Sequence, residues 1–186
     1  SIAAVLADPQ SERVPTIINW LCEQQAEEGF INSYWWLRPY YTTTLLLRAL
    51  SGYEKHLPEG HAKMIAASMI RDQLADGGFR LGSSASADAF TTALALESFT
   101  YLSCVEQQQE RNLCANALLN MQQQDGSWRG DFILRIPVPH VVNPAEITSW
   151  NSAGGGGNSL IADKGGLFAT AMACHALDRW RKPGEG

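Results

Sequence analysis

The chain has 186 residues, 45% of them apolar and 18% charged, with a formal net charge of −5 at neutral pH. That is enough apolar material for one sizeable core and too little charge for a disordered chain. With no basic stripe and no block of like charges, the composition argues against a nucleic-acid partner or an anionic lipid surface. No apolar run approaches the roughly 18 residues of a membrane span, and no charged-then-apolar leader precedes a small-residue cleavage site, so the expected location is the cytoplasm. Cys22, Cys104, Cys114 and Cys174 form no Cys-x-x-Cys pair and have no histidine at zinc-finger spacing, which fits a reducing compartment.

In chain order, "SIAAVLADPQ" over residues 1–10 reads as the tail of a helix. Three marks then punctuate the sequence: "EEGF" ends at Phe30, "ADGGF" at Phe79 and "QDGSW" at Trp128, 49 residues apart in both intervals. Each mark follows one stretch of helical periodicity and precedes another. In register, Trp20, Met69 and Leu118 share a column beside Leu21, Ile70 and Leu119, an apolar seam. Gln24, Gln73 and Gln122 form a further column, as do Glu27, Asp76 and Asp125. Gly29, Gly77 or Gly78, and Gly126 follow, where a left-handed residue stops a helix.

The second helices begin "YTTTLLLRAL" at Tyr41, "FTTALALESF" at Phe90 and "FATAMACHAL" at Phe168. Leu47, Leu96 and Cys174 then share an apolar column, and Arg48, Glu97 and His175 a polar one. Tyr41 to Phe90 is again 49 residues, but Phe90 to Phe168 is 78, so the third linker holds 29 extra residues within 131–166. The expected fold is all-α. One domain over residues 1–186 contains three αα-hairpins, at about 11–50, 60–102 and 110–180, with essentially no sheet.

"LLNMQQQDGSW" resembles the QW repeat of squalene and oxidosqualene cyclases, and with "GGF" and "FTTALAL" the wider pattern is similar to the αα-toroid superfamily that also includes protein prenyltransferase β subunits. The resemblance spans nearly the whole chain apart from the third linker. It implies a ring of about six hairpins around an apolar cavity, of which this chain supplies three, and an isoprenoid or other apolar substrate. Two motifs of the superfamily are incomplete. The cyclase signature Asp-x-Asp-Asp-Thr-Ala falls on residues 88–93, where Asp88 matches and Phe90 stands in place of the proton-donating acid. The prenyltransferase zinc set would fall on Asp88, Phe90 and Ala169, and one ligand of three is too few, so no metal or cofactor is expected.

The candidate acids and bases are Asp88, and Asp163, Glu146 and His140 in the long linker, which reads as a lid or contact surface. Asp88 also fits a helix N-cap. Arg38, Arg80, Arg129, Arg135 and Lys164 lie in linkers that gather at one rim, where helix N-termini favour an anionic head group. Tyr34, Trp35 and Trp36, with Phe90, offer aromatic faces to a carbocation or plug the end of the bundle. The four glycines at 154–157 match no phosphate-cradling loop and read as a hinge. Three functions stay open: a cyclase-like enzyme, a non-catalytic module for a hydrophobic ligand or partner, and a half-ring whose catalytic residues lie elsewhere. A half-ring leaves apolar edges bare, so a homodimer or a companion half-ring chain is expected.

Overall fold

The computed structural model describes residues 11–24, 29–51, 59–80, 86–102, 107–153 and 156–182. The helical tail expected at residues 1–10, the Glu27 position, Cys104 and the first two glycines of the expected hinge lie outside these residues. Six helices dominate: α1 (Val14–Glu23), α2 (Tyr40–Leu50), α3 (Glu59–Asp72), α4 (Ala89–Tyr101), α5 (Gln108–Asn120) and α6 (Leu167–Arg181). Among the described residues no helix is long and apolar enough to cross a membrane.

The turns after α3 and α5 show why glutamine, acid, glycine and aromatic recur together. Gly77 and Gly126 take φ values of 87° and 86°, a left-handed conformation that costs most residues but not glycine. The preceding glutamines fasten them: Gln73 Nε2 donates to the Gly77 carbonyl and Gln122 Nε2 to the Gly126 carbonyl, both at 2.9 Å. Asp76 and Asp125 accept from the backbone N–H two residues on. The aromatic then enters the core, with Phe79 and Trp128 buried. Its own N–H is received by a threonine on the following helix, Phe79 by Thr92 and Trp128 by Thr170, each at 3.0 Å.

Helices α2, α4 and α6 lie side by side with α4 in the middle, and α5 packs on α4 and α6. As a result every residue of α4 from Ala89 to Phe99 is buried. Its Thr92, Leu96 and Phe99 share one face, and Phe99 packs on Phe79 with ring centroids 6.1 Å apart. A smaller core joins Val14, Ile18, Leu21 and Cys22 of α1 to Leu46 and Leu50 of α2.

Three expectations need correction. The third linker contains a sheet: β1 (Phe132–Ile136) pairs antiparallel with β2 (Ser159–Ala162). The strands are the β-branched and aliphatic runs "FILRI" and "SLIA", too short for alternation to show, and the residues between them close the ribbon. Trp20 is 54% exposed and not in the seam with Met69 and Leu118, and Ile70 and Leu119 of the adjoining column are exposed as well, at 41% and 38%. The buried Val14, Ile18 and Leu21 stand 48, not 49, positions before the buried Ala62, Ala66 and Met69, so α1 sits one residue out of register and turns Trp20 outward. Consistent with that slip, it is the N–H of Ile31 rather than Phe30 that bonds Thr43. Finally, Cys174 is exposed whereas its column mates Leu47 and Leu96 are buried.

Candidate functional site

At 3.6 residues per turn, Phe90, Leu94, Glu97 and Tyr101 occupy the face of α4 opposite to Thr92, Leu96 and Phe99. Tyr41, Leu45 and Arg48 hold the matching stripe of α2, and Phe168, Met172 and His175 that of α6. The three stripes meet at both ends, and the joints are made by different chemistry.

At the helix N-termini the joint is aromatic. The Trp36 ring stacks on Tyr41 (centroids 3.9 Å apart, planes at 18°) and on Phe90 (5.4 Å, 18°), and meets Phe168 edge-on at 6.3 Å. The expanded third linker sets Trp36 there. Leu37 N–H donates to the Ile133 carbonyl and Arg135 N–H to the Trp35 carbonyl, so the first linker runs along β1 as a further extended segment. Arg135 Nε donates to the Tyr34 carbonyl, and the Tyr34 hydroxyl to the Val141 carbonyl at 2.7 Å. Trp35 points outward, 53% exposed.

Toward the C-termini the joint is ionic. Glu97, fully buried, accepts at Oε1 from Arg48 Nε (3.0 Å), from the Tyr101 hydroxyl (3.2 Å) and lies 3.2 Å from His175 Nε2. Partial burial opposes the Arg48 charge, but the hydrogen bond and charge of Glu97 outweigh it and hold the guanidinium pKa above its ordinary value. Arg179 places its guanidinium 4.9 Å over the Tyr101 ring. The polar column read from the sequence is therefore one cluster drawn from three helices. The signal for it in the sequence is the spacing, 49 residues from Arg48 to Glu97 and 78 from Glu97 to His175.

Asp88 is the N-cap of α4, accepting at Oδ1 from Thr91 N–H at 2.9 Å. Its other oxygen, Oδ2, is buried with no hydrogen-bond partner. Desolvation pushes the carboxyl up to about 6, against the pull of Thr91, with Asp131 adding to the rise and Arg38 opposing it. Asp163 is also buried, but both its oxygens are engaged, receiving Leu167 N–H and Ala169 N–H at 2.9 Å each at the start of α6. Glu146 is exposed in a short 3-10 turn, Pro144–Glu146, and accepts from Asn143; His140 is exposed on the same segment.

The rim cations do not converge on one point. Arg38 and Arg80 line a cleft of about 110 Å³ together with Arg71, Asp72 and Tyr40, whose hydroxyl donates to Asp72. Arg135 is spent on the first linker and stands 5.8 Å from the Trp150 ring, and Arg129 and Lys164 are exposed. Among the described residues no group of three or more histidine, cysteine, aspartate or glutamate side chains could hold a metal ion.

No protein-family model matches the chain, and no curated protein matches it. Solved structures do. A protein from Actinoplanes is 26% identical with a TM-score of 0.81, over 97% of this chain and 54% of its own. The type II terpene cyclase MstE from Scytonema is 26% identical with a TM-score of 0.82, over 96% of this chain and 54% of its own. A single-residue variant of the same cyclase, in complex with its product merosterolic acid A, is 25% identical with a TM-score of 0.80, over 89% of this chain and 49% of its own. The chain thus has a terpenoid-cyclase-like fold and spans about half the length of these structures.

Proposed function

We propose that the chain forms one wall of an isoprenoid-binding cavity in a terpenoid-cyclase-like protein, with Asp88 as proton donor. The observation that carries this is the convergence of Trp36, Tyr41, Phe90 and Phe168 at the helix N-termini where Asp88 lies. Stacked aromatic faces stabilise a carbocation through their quadrupoles while shielding it from water. Burial favours the neutral form of Asp88 up to a pH of about 6, and Oδ2 is the oxygen not used in capping. In the first step the proton moves from Asp88 to one carbon of an alkene. The π pair forms the new C–H bond, the other carbon becomes cationic, and Asp88 is left as carboxylate. Attack by the next alkene closes a ring, and loss of a proton ends the sequence. Asp163 holds the start of α6, and Glu146 and His140 stand on the exposed linker, which makes them weaker candidates for the donor.

The same reading takes the three hairpins as half of a toroid. Its support is the face of α6 turned away from α4. Tyr40 and Ala89 are 2% and 4% exposed while Leu167 of the same column is 72% exposed, and Thr44 and Ala93 are buried while Ala171 is exposed. In our reading, α2 and α4 seat the next hairpin there, and a companion half-ring occupies the equivalent seat on α6.

Phe90 favours a second reading, a non-catalytic binding module. It occupies the place where the resembled family carries its acid, and it is fixed under Trp36 by stacking. One experiment separates the two: titrate the full chain with geranylgeraniol while following tryptophan fluorescence, then analyse the mixture by mass spectrometry and chromatography. Quenching with a cyclised product that disappears in Asp88→Asn supports the enzyme. Quenching without product supports the module, and absence of quenching overturns both.

A further inference from the structure

The stripe changes character along its length. It runs from the aromatic joint at Trp36, through the aliphatic Leu45, Leu94 and Met172, to the ionic joint of Arg48, Glu97 and His175. Phe90 and Glu97 are seven residues apart on α4, about 10 Å along the axis. A purely hydrocarbon ligand would need only the first two bands. Removing charges from water is costly, and apolar side chains packed in place of a buried ion cluster are often as stable or more so. The ionic band is therefore not explained by packing.

Its geometry suits an oxyanion. Glu97 is fully buried and holds Arg48 and His175 in place, while their side chains remain 36% and 44% exposed. Arg48 donates to Glu97 Oε1 from both Nε and Nη2, and His175 Nε2 lies 3.2 Å from that oxygen and 3.4 Å from Arg48 Nη2, so the nitrogens left for a ligand at the end of the apolar stripe are Arg48 Nη1 and His175 Nδ1. A guanidinium fixed on one edge keeps its remaining N–H groups for carboxylate or phosphate oxygens. The rim is less suitable. Tyr40 borders the arginine cleft while Tyr41 belongs to the stripe, and successive residues of a helix point about 100° apart, so the cleft opens on another face of α2.

We infer that Arg48 and His175 bind the oxyanion head of an amphipathic prenyl ligand whose chain lies along Leu45 and Met172, the half-buried residues of the aliphatic band, and whose hydrocarbon end reaches Trp36 and Asp88. This rests on the reading that the stripe holds an isoprenoid, and it places the head group at the opposite end of the stripe from the rim arginines. Glu97 acts as a positioning residue.

The test compares geranylgeraniol, geranylgeranoic acid and geranylgeranyl phosphate, titrated into the full chain with tryptophan fluorescence as readout. At least one anion is expected to bind about tenfold or more tightly than the alcohol, and whichever binds tighter identifies the head as carboxylate or phosphate. In the double variant Arg48→Met with Glu97→Gln, which removes the ion pair as a unit, the advantage is expected to fall to about twofold or less. Should that variant fail to fold, Arg48→Lys, which keeps the charge and loses the planar fork, is expected to reduce the advantage, and an undiminished one counts against the inference. Equal affinity for all three ligands overturns the inference while leaving the isoprenoid reading intact. An advantage that survives the double variant but disappears in Arg38→Met with Arg80→Met also overturns it and puts the head at the rim. Failure of the alcohol and both anions to bind strikes the isoprenoid reading itself.

Discussion

Arg48 Nε donates to Glu97 Oε1 at 3.0 Å, and the two residues are 49 positions apart, the interval that separates the turn marks. Side chains of one column sit at the same height on neighbouring helices, so a cation in α2 meets an anion in α4 without any long-range coincidence. Removing the cation alone leaves a carboxylate in the core. Arg48→Met is expected to destabilise the chain by about 1–3 kcal/mol, below the range for a fully buried pair because Arg48 is partly screened by water. Adding Glu97→Gln is expected to recover more than half of the loss. Urea denaturation of the two variants provides the measurement.

Asp88 makes stability depend on pH. Its folded pKa of about 6 lies above the ordinary value of 3.8, so between these values the folded state binds more protons than the unfolded state. Stability is then highest below about pH 4 as far as this group is concerned, and it declines as pH rises toward about 6 and beyond. Asp88→Asn keeps a capping oxygen and has no charge to bury. The expected result is a variant more stable than the parent at pH 7, by at most about 3 kcal/mol for a shift of this size, with the difference shrinking toward pH 4. Thermal unfolding across that pH range would show it, and a parent and variant with parallel profiles would refute it.

Two turn glycines should respond differently to alanine. Both need positive φ, worth about 1–2 kcal/mol against a side chain. A Cβ on Gly126 meets nothing nearer than Gln122 Nε2 at 3.9 Å, so Gly126→Ala should cost about that much. A Cβ on Gly77 would clash with the Leu113 backbone carbonyl, and Gly77→Ala should cost about 2–5 kcal/mol once overpacking is added. Equal losses in chemical denaturation would count against this account of the turn.

Thr92 accepts from Phe79 N–H at 3.0 Å and donates to the Asp88 carbonyl at 2.7 Å, locking the turn to the helix that follows it. Thr92→Val keeps the shape and leaves the Phe79 N–H buried without an acceptor, an expected loss of about 1–3 kcal/mol. Thr92→Ser keeps the hydroxyl and should cost less. Hydrogen exchange at Phe79 is the specific readout, faster in the valine variant and near the parent rate in the serine variant.

The 49-residue spacing of the turns after α3 and α5, the helical periodicity on either side of them, and a glycine turn closed by glutamine and acid were all readable in one dimension, because each turn depends on local backbone geometry and on residues a few positions apart. So was the alignment of Arg48, Glu97 and His175. Other features required the folded chain. The one-residue slip of α1, which packs Ile18 and Leu21 against Leu46 and Leu50 of α2, turns Trp20 outward. The sheet in the third linker forms because two short aliphatic runs, too brief to declare themselves, are brought together by the chain between them. Asp88 and Asp163 read alike as candidate acids, yet one keeps an oxygen without a partner and the other engages both in capping α6. Trp36 and Trp35 are adjacent in sequence and have opposite fates, one stacked among three rings and the other exposed. The direction of a side chain in an irregular segment is set by what pairs with its backbone, and here that partner, β1, lies about a hundred residues away.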